Sequence, residues 1–332
     1  MDDIITLDYG SGGKKTSSLI EEMIVPTLSN SALSALGDGA ILEGGEKLVF
    51  STDSFVVSPC FFPGGDIGKL SVCGTVNDVA VSGGIPKYLS LSFIIEEGFE
   101  REKLEKIIAS IAKTADAAGV SVVTGDTKVV ERGHGDGIYI NTAGIGILSH
   151  QKLSPKNIKE GDVVLLSGTC GDHGAAIMLE RNKNLVEGEI LSDCAPLNSL
   201  CEKLYTLGEA LRVLRDPTRG GVATTLCEFV ENTELGIELS GEDIPMNRAV
   251  AAACDILGLD PLYSANEGKL LAVVDASVAE EALSIMRNTP EGKNAAIIGR
   301  VTKKHGGRVS VRGEFGSRVV AKLSGAQLPR IC

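Results

Sequence analysis

The chain has 332 residues, about twice the length of one ordinary domain, and 43% of them are hydrophobic, enough for two cores. With 44 acidic against 32 basic residues, a net charge of -12 and no run of five Lys or Arg, it lacks a nucleic-acid footprint. Eight scattered cysteines (Cys60, Cys73, Cys170, Cys194, Cys201, Cys227, Cys254, Cys332) without a CxxC pair exclude a zinc knuckle, an iron-sulfur cluster or a disulfide scaffold, and no stretch of 18 apolar residues offers a membrane span.

The opening MDDIITLDYG has neither the basic nor the apolar segment of an export signal, so a cytoplasmic protein is expected. After the polar leader DYGSGGKKTSS, LIEEMIVPTL reads as a short helix and KLVFSTDSFVV as a strand ending in a loop that carries Asp53. GGDIGKLSVCGTVNDVAVSGG puts Leu70, Cys73, Val76 and Val79 or Ala80 at helical spacing, with Asp66 at the start. EREKLEKIIASIAKTADAAG is the strongest helix, with Leu104, Ile107, Ile108, Ile111 and Ala115 as its apolar stripe and Gly119 as its cap. VSVVTGDTKVV reads as a strand running into a loop, and GIYINTAGIGIL as a second strand of the same sheet, closing a first domain over residues 1–150.

QKLSPKNIKEGD is a polar joint into a second domain over 155–320. There VVLLSG reads as a strand, GDHGAAIMLE as a helix start and PLNSLCEKLYTLGEAL as a helix opened by Pro196. DPTRGGVATTLCEFVENT is a glycine-rich turn into a helix, and PMNRAVAAACDILG a helix with Pro245 in its first turn. LLAVVD and AAIIGRVT are buried strands around the helix SVAEEALSIMRN. GSRVVAKLSGAQLPRIC has no helix signal, and its small, polar and proline residues predict a mobile tail over 321–332. Such composition, with 40 glycines and 4% aromatics, describes a loop-rich α/β or α+β enzyme.

Five aspartates stand in glycine-bounded loops or at helix starts: Asp38, Asp53, Asp66, Asp78 (beside Asn77) and Asp126. Mg²⁺ takes about six oxygen ligands, several from water and phosphate, so two or three convergent carboxylates suffice. Any one of these aspartates is as readily a cap; the set of five points to a metal-bound phosphate ligand. GSGGK, with Gly12, Gly13 and Lys14, lacks the phosphate-loop spacing and stands open between a lid and a plain leader. In TGDTKVVERGH, Lys128 offers a cation to phosphates and His134 a proton acceptor near neutral pH. GTCGDHG, presenting Asp172 and His173, and DPTRGG, presenting Arg219, each put glycines before a helix start, an arrangement that offers N–H groups to an anion. Glu267 in SANEG is a candidate acid or base, and Cys332 at the end of PRIC is a candidate loaded thiol rather than a prenylation site.

Taken in order, DYGSGGKKTSSLI, LGDGAIL, STDSFVVSPCFFPGGDIGKLSVCGTVNDVAVSGGIPKYLSLSFIIEEGF, VVTGDTKVVERGHGDGIYINTAGIG, SGTCGDHGAAIM, RDPTRGGVATTL, SANEG and PRIC resemble the hydrogenase maturation carbamoyl dehydratases (hydrogenase expression/formation protein E). These belong to the superfamily of aminoimidazole ribonucleotide synthetase, selenophosphate synthetase and thiamine-monophosphate kinase, and PRIC separates them from those relatives. The resemblance implies a PurM-like fold: two α/β domains, an N-terminal mixed sheet pairing across a homodimer, and a flexible C-terminal tail. It implies ATP and Mg²⁺ as cofactors. It puts Asp38, Asp53, Asp66, Lys69, Asn77, Asp78, Thr124, Gly125, Asp126, Thr127, Gly12 and Gly13 on nucleotide positions, with Asp38, Asp66, Asp78 and Asp126 toward the metal. Cys332, Lys128, His134 and Glu267 fall on catalytic positions.

The implied reaction is ATP-dependent dehydration of an S-carboxamide on Cys332 to a thiocyanate, supplying the cyanide ligand for hydrogenase iron. The implied partners are a carbamoyltransferase (hydrogenase maturation protein F) and an iron scaffold of proteins C and D. Two other readings are set against it. A small-molecule kinase or synthetase of the superfamily predicts turnover of a free substrate without Cys332, and a nucleotide-switched carrier predicts ATP binding without chemistry on the tail.

Overall fold

The computed structural model describes residues 3–10, 14–34, 42–150, 153–182, 190–322 and 330–332. After a 3₁₀ turn over Leu7–Gly10 come α1 (Lys14–Leu19), a π turn over Ile20–Ile24, α2 (Val25–Thr27) and α3 (Ser31–Ser34), where a single short helix was expected. Strand β1 (Leu48–Phe55) follows, then the hairpin β2 (Phe61–Phe62) and β3 (Gly65–Asp66). Helix α4 (Ile67–Val81) starts at Asp66, whose carboxylate accepts the Gly68 and Lys69 N–H groups as an N-cap. It has no solvent face, because it is sandwiched between the first sheet and the second domain, and only Lys69 and Asp78 escape full burial.

Strand β4 (Gly84–Glu96) is the longest strand among the described residues and has no counterpart in the chain-order reading above. Helix α5 (Arg101–Ala118) ends in a left-handed Gly119 with φ of 67°, as its glycine predicts. Strands β5 (Ser121–Val130) and β6 (Ile138–Leu148) complete a four-stranded sheet in the order β1-β6-β4-β5, antiparallel except for the parallel β4–β5 pair. TGDTK is thus strand, not loop. One face of this sheet packs α4 and α5 around Leu89, Leu91, Phe93, Ile95, Ile107 and Ile111. The other face carries exposed Leu48, Phe50 and Ile94.

The second domain is a seven-stranded sheet in the order β13-β12-β9-β11-β7-β10-β8. Along the chain its elements are β7 (Val163–Leu166), α6 (Asp172–Arg181), α7 (Asn198–Leu204), β8 (Leu211–Arg215), α8 (Gly221–Val230) and β9 (Gly236–Ser240). Then come α9 (Arg248–Leu257), β10 (Leu271–Val274), α10 (Ala279–Arg287), β11 (Ala296–Thr302), β12 (Val309–Gly313) and β13 (Gly316–Val320). Core residues lie on both faces: α8 covers one, while α7 and α10 cover the other, so the unalternating LAVV of β10 is buried throughout.

Three boundaries differ from expectation. The PLNSLCEKLYTLGEAL helix stops at Leu204 and passes through a 3₁₀ segment with a non-helical Gly208 before β8. Pro245 lies ahead of α9, whose cap is the Asn247 side chain. The tail's first residues, GSRVV, form β13 by pairing with β12, since a neighbouring strand edge supplies what local propensity does not. No helix among the described residues is long and apolar enough to cross a membrane.

Candidate functional site

The expected residues fall into two groups. Thr124, Gly125, Asp126, Thr127 and Lys128 lie along β5 and line a cavity of about 270 Å³ closed by Thr16, Ile20 and Leu33. Lys128 Nζ stands 2.8 Å from Asp126 Oδ1, and this hydrogen bond holds the Asp126 carboxyl below its usual range. Alternation in β5 and β4 puts both side chains on the face of exposed Ile94. Gly12, Gly13 and Asp38 lie outside the described residues.

The second group occupies the cleft between α4, the end of β1 and the second domain. Ser51 Oγ donates to Asp78 Oδ2 at 2.7 Å, and a methyl group on Gly74 of α4 would come within 4.0 Å of Asp53 Oδ2, so Asp53 faces α4. Burial pushes the Asp78 carboxyl up, Ser51 opposes it, and the Asp53 charge adds to it. Asp216, which opens the DPTRGG turn but was given no role there, is 6% exposed, and burial with the nearby Asp78 raises it to about 7. Arg219 is exposed and its charge bears on both Asp78 and Cys332.

Glu267 is the most constrained member. It is 2% exposed, its Oε1 has no hydrogen-bond partner among the described residues, and burial holds it well above the carboxylate range. Its backbone is fixed by Asp193, whose carboxylate accepts the Glu267 and Gly268 N–H groups at 3.1 and 3.2 Å and pairs with Lys269 at 3.3 Å. A Cβ at Gly268 would sit 1.8 Å from the Asp193 carbonyl, so the glycine of SANEG is required by close approach. Asn266, fully buried, knits three loops: its Oδ1 accepts Gly171 N–H at 2.7 Å and its Nδ2 donates to the Pro217 and Ser264 carbonyls. Asp193 and Asn266 were not foreseen; the only local signal is a polar residue beside Glu267.

Several of the expected residues also make structural contacts. Asn77 is 1% exposed and works as an interdomain strut, donating to the Ala195 and Glu267 carbonyls at 3.1 and 3.4 Å and accepting Leu197 N–H at 2.7 Å. Asp66 caps α4, and Lys69 Nζ donates to the Gly64 carbonyl at 2.9 Å. In the GDHG turn the Gly171 N–H is taken by Asn266 Oδ1 and the Gly174 N–H by the Ala265 carbonyl. His134 lies exposed in a loop held by Glu96, which accepts Gly133 and Gly137 N–H. The same loop offers Asp136 to Arg330.

Arg330–Cys332 are seated in this cleft. Val56 N–H donates to the Cys332 oxygen at 3.2 Å and Ser58 N–H to the Arg330 carbonyl at 3.3 Å. Ile331 is 3% exposed and joins the first domain's core, and Cys332 packs against that core. Burial, then the Glu267 charge, pushes the Cys332 thiol up to about 12. Lys128 is not brought to it. Cross-strand register puts Lys128, Ile94 and Tyr139 on one row, and Val56 follows the Phe55 that pairs with Ile140 at the far edge of the sheet, so three strand spacings, about 14 Å, separate Lys128 from it.

The oxygen-rich donor set suits a hard divalent cation, and the mutual repulsion of Asp53, Asp78 and Asp216 is a charge such an ion would relieve. Among the described residues no three acidic, histidine or cysteine side chains form a cage, so an ion here would complete its shell from phosphate and water.

The chain matches the family description AIR synthase related protein, N-terminal domain, over residues 36–148, and AIR synthase related protein, C-terminal domain, over 159–312. Carbamoyl dehydratase HypE of Rhodobacter capsulatus is 44% identical over 336 positions, covering 100% of this chain and 99% of that protein. The crystal structure of hydrogenase maturation protein HypE in complex with ATP superposes with a TM-score of 0.94 at 44% identity, covering 98% of this chain and 99% of that one. The HypE in a HypE–HypF complex gives 0.80 at 49% identity, covering 92% and 100%. With both AIR-synthase-related domains matched and a full-length carbamoyl dehydratase 44% identical, the chain belongs to the carbamoyl dehydratase (HypE) family of hydrogenase maturation proteins.

Proposed function

We propose that this protein dehydrates an S-carboxamide on its own Cys332 to S-cyanide with ATP, and hands the cyano group to hydrogenase iron. The observation that carries the reading is the seat of Cys332, buried in a cleft with Glu267, whose Oε1 has no hydrogen-bond partner among the described residues. A carboxamide oxygen is a poor leaving group. Attack of that oxygen on the γ-phosphorus of ATP, with loss of one amide proton, forms an O-phosphorylated imidate and ADP. Elimination of phosphate with loss of the second proton leaves the S–C≡N group.

Glu267 accepts an amide proton at its unpartnered Oε1, and His134 is the second candidate acceptor, from the loop that holds Arg330. Lys128 offsets charge on the transferring phosphoryl group, and Thr124–Thr127 with Gly12 and Gly13 bind the nucleotide. Asp78 and Asp126, with Asp38 and neighbouring Asp53, are the carboxylates for magnesium, which when bound neutralises phosphate charge; Asp66 and Asn77 support the site by holding α4 and the Glu267 loop. The buried seat keeps the intermediate from water, and carriage on the chain makes the encounter intramolecular.

Because Lys128 and Cys332 stand at opposite edges of one sheet, the complete site is assigned to a homodimer in which one subunit supplies Lys128 and the other Cys332. The open sheet face with Leu48, Phe50 and Ile94 supports such pairing. Loading by a carbamoyltransferase related to HypF, and delivery to a HypC–HypD scaffold in the cytoplasm, complete the assignment. Intact mass tests it. Incubation with the transferase, carbamoyl phosphate and ATP is expected to add about 43 Da to the Cys332 peptide, and Mg-ATP then to remove about 18 Da. An unmodified peptide with ATP consumed on a free substrate would return the chain to the small-molecule kinases.

A further inference from the structure

Outside the groups that handle nucleotide and protons lies one fully buried imidazole, His173, at the second position of α6. Its Nε2 is 2.8 Å from the Ile331 carbonyl, and its Nδ1 is 2.8 Å from Ser192 Oγ. A carbonyl only accepts, so Nε2 must carry the hydrogen. Ser192 Oγ already accepts the Cys194 N–H at 3.1 Å, which leaves its own proton to point at Nδ1. The two contacts therefore select one neutral tautomer, and burial keeps the ring neutral by lowering its proton affinity. The ring is further pinned by the edge of Phe62, with centroids 5.5 Å apart at 87°, while Ser192 N–H donates to the Pro63 carbonyl at 2.8 Å.

The surroundings explain what this arrangement grips. The backbone oxygens of the last three residues each have a donor: Arg330 from Ser58 N–H and Arg181, Ile331 from His173, and Cys332 from Val56 N–H. The Arg330 guanidinium donates to the Val56 carbonyl at 3.0 Å and pairs with Asp136, and Arg181 Nε donates to the Ser58 carbonyl at 2.6 Å. Backbone bonds to Val56 and Ser58 fix the register of the segment. The imidazole bond is different in kind: it is buried and comes from the second domain, at the residue directly before the thiol.

We infer that His173, oriented by Ser192, is a positioning residue that latches the Arg330–Cys332 segment in the cleft and sets how often Cys332 stands at Glu267 rather than outside for loading. The inference rests on the dehydratase reading for the meaning of the two positions, while the latch itself is a property of the unloaded protein. One buried neutral hydrogen bond is worth about a five- to tenfold change in such an equilibrium.

The test uses the full-length protein. Without nucleotide, Cys332 is alkylated with iodoacetamide at pH 7.5 and followed by the mass of the peptide released after Lys322. His173→Leu, which removes the donor, is expected to raise the alkylation rate about five- to tenfold and to slow single-turnover dehydration by a similar factor without slowing loading. His173→Gln, whose amide nitrogen can occupy the Nε2 position, is expected to restore most of both effects. Ser192→Ala, which frees the tautomer, is expected to shift both rates in the same direction as His173→Leu, and it serves where the leucine variant does not fold. Unchanged alkylation in the variants that fold overturns the latch, as does a Gln variant that behaves like Leu. Because alkylation is read without ATP or transferase, failure of the wild-type protein to lose about 18 Da would remove the dehydratase reading and leave the latch result standing.

Discussion

Lys128 and Glu267 are both ionisable groups of the candidate site, yet the Lys128 side chain is 63% exposed beside its counter-ion whereas Glu267 is 2% exposed with a carboxyl oxygen left over. The β5 edge keeps its charges in water, where they remain available to an incoming polyanion and cost little to maintain. The interdomain cleft removes its carboxyls from water and raises their proton affinity, a condition for moving protons but a poor one for holding static charge. The charges left in water and the carboxyls withdrawn from it thus lie on different sides of one sheet.

The largest effect should come from the cleft. Glu267→Gln is expected to lower the rate of S-cyanide formation by about 10² to 10⁴ while carbamoylation of Cys332 continues, read by intact mass. In the wild type that rate should climb with pH, because Glu267 must lose a proton it holds well above the usual range before it can accept another. A flat profile sinks its role as base. Next, Lys128→Met is expected to cost about 10² to 10³ in the same step. Mixing Lys128→Met with Cys332→Ser subunits should regain about a quarter of the wild-type sites if the two groups meet across a dimer, and none if they meet within one subunit.

Asp216 gives a stability signature. Its pKa of about 7 lies above the ordinary 3.8, so the native state binds a proton that the unfolded state has lost. The resulting stabilisation is full below about pH 4 and gone by about pH 7, a change on the order of a few kcal/mol. Asp216→Asn should therefore melt progressively higher than wild type as pH rises from 5 to 8; equal melting temperatures at both ends would mean that Asp216 is not desolvated. The smallest effect is reserved for the surface. Asp136→Asn, which removes an exposed partner of Arg330, should change Cys332 alkylation by no more than about threefold.

Much of the architecture could be read locally, because α4, α5, β1 and β6 each satisfy a simple rule of period or cap. Strand β4 escaped although Leu89, Leu91, Phe93 and Ile95 alternate with Ser90 and Ser92; Pro86, which argues against a central strand, sits where the pairing with β6 shifts register. Asn77 was grouped with Asp78 because they are adjacent in sequence, but neighbours on a helix point about 100° apart, and one meets the second domain while the other meets Ser51. The roles of Asp193, Asn266 and Asp216 depend on burial created by loops some 50 to 75 residues apart, which no local pattern encodes. His173 carried only a glycine-turn signal, and its partner Ser192 carried none.

Helix α4 has a consequence of its own. Asp78 meets Ser51 and the Asp53 charge, and the residue before it donates to the carbonyl of Glu267. If Asp78 holds the magnesium and Glu267 takes the proton, as proposed, the two stations hang on neighbouring residues of a single stiff rod, boxed in on all sides. On that reading a displacement at one station reaches the other through a single amide side chain with no hinge between them, and stiffness alone would keep nucleotide and proton acceptor in step.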